Sequence, residues 1–152
     1  MNRSRLLILA IVLLVFGARV GVTSAANCLD YDPVVVSLSG LLVRITNPGP
    51  PNYKSVSEGD ASEAYFYLKL QTSICTNAKS DGGTNVALNG VKLVQLNLKP
   101  EQYKLLESQL GRTIALSGKL YAAYSGHHHA PLLLSEVATM PSSTSLEGTR
   151  ER

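Results

Sequence analysis

Five stretches of the chain alternate apolar and polar side chains with a period of two, the pattern of half-buried strands. In PVVVSLSGLLVRI (33–45), Val34, Val36 and Leu38 share one face and Val35, Ser37 and Ser39 the other, with a bend expected at Gly40. AYFYLKLQTSIC (64–75) sets Tyr65, Tyr67 and Lys69 against Phe66, Leu68 and Leu70, and VKLVQLNL (91–98) supplies a third strand. RTIALSGKLYAAY places Ile114, Leu116, Gly118 and Leu120 on one side, and PLLLSEVATM closes the series. The segments TNPGPPNYKSVSEGDASE and TNAKSDGGTNVALNG are dense in Pro, Gly, Asn, Ser and Asp and read as loops.

Between the third and fourth strands the period changes. KPEQYKLLESQLG has Pro100 placed for a first helical turn, Glu101 within that turn, Tyr103, Leu106 and Leu110 at helical spacing, and Gly111 as a stop. This predicts an amphipathic helix of about three turns. The order β-β-β-α-β-β describes an all-β chain with one helix and fits a five-stranded OB-fold-like barrel. A β-sandwich would ask for about seven strands. On that layout the Pro-rich stretch joins strands one and two, and YSGHHHAPLLL joins strands four and five.

Composition changes this picture mainly at the ends. Arg3 and Arg5, the apolar run 6–16 and the small residues Ser24, Ala25 and Ala26 follow the order of a secretory signal peptide, assigned to 1–26. The run is too short to span a bilayer, and Asn27 before Cys28 argues against lipid attachment. Residues 27–140 form the barrel domain on this reading, and PSSTSLEGTRER (141–152) is expected to be a disordered tail. Of the 14 Lys+Arg, Arg3, Arg5 and Arg19 belong to the leader, which leaves 11 against 11 acidic side chains. That balance speaks against a nucleic-acid partner, and no stable membrane insertion is expected after leader removal. The location implied is periplasmic or secreted. There the only two cysteines, Cys28 and Cys75, read as one disulfide. Antiparallel pairing of the first two strands would bring them together; free thiols or zinc ligands are the alternatives.

The two loops singled out by composition are those that OB-folds use for ligands, together with the face of strands two and three. Candidate ligand-binding residues are therefore Asn52, Tyr53, Tyr65, Tyr67, His127, His128 and His129. If the histidines run extended, His127 and His129 point one way and His128 the other. His127 and His129 could then share a zinc or copper ion, with Glu58, Asp60 or Glu63 as third ligand. Ser125 adjoins a histidine, but no orienting acid or oxyanion site is legible, and the chain lacks a phosphate loop and a nucleophile elbow. The expectation is a non-enzymatic exported binding or accessory domain without a cofactor. Its ligand would be a small polar molecule, a glycan or another envelope protein. A metal-binding envelope protein centred on His127 and His129 is the alternative, and a purely structural module a third.

The leading Cys28, GPPNY (49–53), Gly59-Asp60, Cys75, Leu110-Gly111 and SGKLYAAYSGHHHAPLLL resemble a bacterial exported family known as domain of unknown function 4431. The resemblance spans roughly residues 28–137 and centres on Gly126 and the three histidines. The family more usually has threonine where this chain has Ser125 and Ala130. It implies an exported, barrel-like domain and brings no activity with it.

Overall fold

The computed structural model describes residues 27–140. The expected leader (1–26) and tail (141–152) lie outside the described residues. Five strands, β1 (Val35–Pro48), β2 (Ser62–Thr76), β3 (Leu88–Leu96), β4 (Thr113–Ala122) and β5 (Leu132–Thr139), surround one helix, α1 (Pro100–Glu107). They close into a ring in the order β1-β2-β3-β5-β4, with β3 and β5 parallel and the other neighbours antiparallel. This bears out the OB-type barrel expected from the element order.

Closure depends on β1 serving two partners. Its first half pairs with β4 and its second with β2, and Gly40 belongs to both ladders, opposite Ile114 and Leu70. A Cβ there would lie 2.6 Å from the Lys69 carbonyl oxygen, so the residue anticipated as a bend is also a point of close backbone approach. Inward positions such as Leu38, Leu42, Phe66, Leu68, Val94, Leu116, Leu120 and Leu134 fill the barrel. Leu106 on α1 joins that core, with Tyr103 and Leu110 packed beside it. The helix is shorter than expected. It stops at Glu107, and a turn carries the chain to Gly111, whose N–H donates to the Leu42 carbonyl at φ 79°.

Strand bounds also moved. β1 runs on through Asn47 and Pro48, which belong to the stretch read as loop, because these residues pair with Glu63 and Ser62. The next segment contains a short 3-10 turn, Val56–Glu58, that composition did not foreshadow. It is closed by main-chain bonds from Gly49 N–H to Ala61 O and from Ala61 N–H to Pro50 O, both 2.7 Å.

Cys28 and Cys75 form the expected disulfide. The chain before β1 reaches the end of β2 as a parallel bridge at Leu29 and Thr76, with Leu29 N–H donating to Cys75 O. Among the described residues no helix is long and apolar enough to cross a membrane.

Outside the barrel wall lies a second buried layer. Tyr67, Gln95, Leu133 and Tyr121 follow one another across β2, β3, β5 and β4 on the outer face. Tyr67, Gln95 and Leu133 are nearly fully buried yet are not part of the interior cluster. The loops β1–β2 and β4–β5 fold over this face.

Candidate functional site

The backbone of the β4–β5 loop at His127 and His129 is clamped by a glutamine of β3. Gln95, 3% exposed, donates through Nε2 to His127 O (2.9 Å) and accepts the His129 N–H at Oε1 (2.7 Å). These bonds straddle His128, whose N–H closes a turn on Ser125 O at 3.1 Å; the run is therefore not extended, yet His127 and His129 meet Glu63 while His128 meets Tyr121 and Tyr124.

His127 and His129 turn toward Glu63, the second residue of β2. His127 Nδ1 lies 2.8 and 3.0 Å from the two carboxylate oxygens of Glu63, and His129 Nε2 lies 3.4 Å from Oε2. The Tyr65 hydroxyl donates to the same Oε2 at 3.2 Å. An ionised carboxylate only accepts, so the facing ring nitrogens are the donors. Burial by itself would raise the Glu63 carboxyl, but the bonds from His127, His129 and Tyr65 outweigh it and hold it below its ordinary value. Burial and the adjoining Glu63 charge push the Tyr65 phenol up to about 12.

Two glycines shape the seat. A Cβ on Gly49 would meet the Glu63 side chain at 2.6 Å, and one on Gly126 would meet the Tyr53 ring at 2.9 Å. Tyr53 crosses from the β1–β2 loop, packs edge-on against His127 and places its hydroxyl 3.2 Å from His127 Nε2. Its own backbone sits at φ 56°, a left-handed conformation that costs a non-glycine residue energy. The chain Tyr53–His127–Glu63, with His129 and Tyr65 on the carboxylate, thus joins both loops in one polar cluster.

The other candidates separate from it. Asp60 is consumed by its own loop, accepting the N–H groups of Asn52, Lys54 and Ser55 at 2.7–2.9 Å. Those bonds, led by Ser55, hold its carboxyl below the ordinary value. Asn52 is therefore seen in this turn and not at the histidines. Tyr67, expected among the ligand-binding residues, is instead buried. It is 1% exposed and accepts a 2.7 Å bond from Asn47 at its hydroxyl, so it supports the loops from beneath. Glu58 is exposed on the 3-10 turn. Among the described residues no group of three or more His, Cys, Asp or Glu side chains is placed to hold a metal ion. His127, His129 and Glu63 are instead bonded to one another.

His128 faces the opposite way. Its Nδ1 accepts the Tyr124 N–H at 3.0 Å, and its ring packs edge-on against Tyr124 and Tyr121. Burial, reinforced by His127 and His129, lowers its pKa. Sequence reasoning missed Gln95. Its one signal is a polar amide on the outward face beside Val94 and Leu96, a position that otherwise gives no hint of burial.

Fold and cluster together define an OB-type barrel with a polar two-loop site. Residues 93–141 match the family model described as Domain of unknown function (DUF4431). The match takes in the end of β3, α1, β4, the histidine loop and β5; Tyr53 and Glu63 lie outside it. No curated protein and no solved structure matches the chain.

Proposed function

We propose that the protein is a non-enzymatic, exported binding module whose ligand is a small polar molecule received at the Glu63–His127–His129 cluster. One observation carries this reading: the loop backbone is fastened by Gln95, which leaves two imidazoles free of that task and gathered on a carboxylate. Side chains that the fold does not need for its shape are available for recognition. Tyr53 and Tyr65 flank the cluster with a hydroxyl and an aromatic edge each. A ligand with hydrogen-bonding groups would exchange partners with the histidines in place of the internal bonds.

The test is a thermal-shift screen of small polar metabolites on the wild type and on the combined variant Glu63→Gln, His127→Ala, His129→Ala. A compound that raises the melting temperature of the wild type alone supports the site. Hits that shift both proteins equally place binding elsewhere and overturn the reading.

A second reading rests on the convergence of His127 Nδ1 and His129 Nε2 on one carboxylate. Two imidazoles and a glutamate are a donor set that suits zinc. Zinc titration of chelator-treated protein decides it. Stoichiometric binding that disappears in the same variant favours the metal, and equal weak binding by both proteins removes it.

A further inference from the structure

The β4–β5 loop has a second chemical face, independent of the Glu63 cluster. Tyr124 stands 67% exposed, propped perpendicular to His128 with ring centroids 4.5 Å apart, and Tyr121 closes the group from β4. Because His128 Nδ1 accepts a backbone N–H, the ring is neutral and carries its proton on Nε2. This gives an aromatic ledge with an uncharged polar edge.

The ledge continues into a cleft. On the outer face, Asn97 N–H bonds to Leu134 O, which sets Asn97 beside Ser135 and diagonal to Tyr121. From there an open cleft of about 530 Å³ runs between β5 and α1, lined by Asn97, Lys99, Glu101, Ser135 and Glu136 among others. At the cleft β5 carries one residue more than its partner β4. Ser117 pairs with Ala138 but Lys119 pairs with Ser135, and within that bulge Glu136 adopts φ 50°. Such bulges re-aim side chains beside functional sites, and the left-handed backbone of a non-glycine residue is a strained one. Where ledge and cleft meet, the Tyr121 hydroxyl is buried beside the Asn97 side chain.

Charge narrows the occupant. Glu136 is engaged by Lys119 at 2.9 Å, and Lys99 and Glu101 oppose each other in sign, so the surface presents no net charge for an ion. Its offer is an exposed ring for stacking followed by amides, hydroxyls and carboxylates. That combination matches the apolar face and hydroxyl rim of a pyranose chain. We infer that the surface from Tyr124 through Asn97 to Glu136 binds a neutral oligosaccharide, with one sugar stacked on Tyr124 and the next residues along the cleft.

The experiment titrates the purified protein with chitotetraose, cellotetraose and maltotetraose, followed by amide chemical shifts. Binding of at least one is expected, with shifts along β5 and the start of α1. Tyr124→Ala should weaken it about tenfold, as loss of one aromatic contact implies, while Tyr124→Phe stays within about threefold of the wild type. Glu63→Gln with His127→Ala should leave the affinity unchanged, so failure here is distinct from failure of the Glu63 site. The inference is overturned if none of the three binds at millimolar concentration. It is equally overturned if Tyr124→Ala binds as the wild type does, or if the Glu63 and His127 changes abolish binding.

Discussion

At the scale of single residues, three side chains decide whether the histidine loop keeps its shape. Gln95→Leu removes both bonds of the clamp and leaves the His129 N–H and His127 carbonyl without it. Burying two such groups unpaired should cost about 2–4 kcal/mol, read as a lower midpoint in urea unfolding with an unchanged slope. Gly126→Ala drives a methyl group into the Tyr53 ring, a side chain with room to move, and about 1 kcal/mol is expected. Gly118→Ala meets the Ser135 backbone and Leu134 inside the barrel wall, where neither yields, so its loss should be clearly the larger of the two. Asp60 acts through pH. Its folded pKa lies below the ordinary 3.8, so its contribution is complete above that value and disappears as pH falls through the folded one. Asp60→Asn should therefore flatten the acid limb of a stability profile below about pH 4 and leave its position above pH 5 to the other groups.

At the scale of elements, most of the strand pattern was legible because one face of every strand meets the barrel interior. Phe66, Leu68 and Leu70 alternate with Tyr65, Tyr67 and Lys69, and that period is unambiguous. The helix was legible in place but not in length, since Leu110 packs on the core from the turn beyond the helix. What alternation could not show is the second layer. An outward tyrosine at position 67 looks like surface until the chain folds over it: Asn47, 20 positions away, bonds its hydroxyl, and its neighbour Gln95 bonds the histidine loop 32 positions on. The site was half legible for the same reason. The two loops follow from strand order; the split between His127/His129 and His128 was expected of an extended run, whereas His127 lies in a turn closed by His128 N–H on Ser125 O. The choice of Glu63 over Glu58 and Asp60 depends on the Asn47–Glu63 pairing, two register positions past the expected end of β1. The disulfide belongs to this scale too. It closes 47 residues of chain and pins the N-terminal segment to the end of β2. Replacing both cysteines by serine should cost up to about 4 kcal/mol, visible as a lower melting temperature without a change of fold.

At the scale of the whole molecule, the polar loops, the balanced charge of residues 27–152 and the disulfide fit a protein that works outside the cytoplasm. If residues 1–26 are removed on export, intact-mass measurement of the envelope fraction should give a chain beginning near Asn27; a product that retains Met1 would contradict this. The central claim is that the barrel and Gln95 hold the histidine loop, and that His127 and His129 are there for recognition. Thermal unfolding of His127→Ala/His129→Ala in the presence of chelator tests this most directly. Because the loop backbone keeps its clamp, the expected loss is about 1 kcal/mol, the net scale of a hydrogen bond, corresponding to a few degrees. A loss of several kcal/mol with no metal present would show that the imidazoles are structural ties between the two loops, and the reading of this cluster as a ligand site would be wrong.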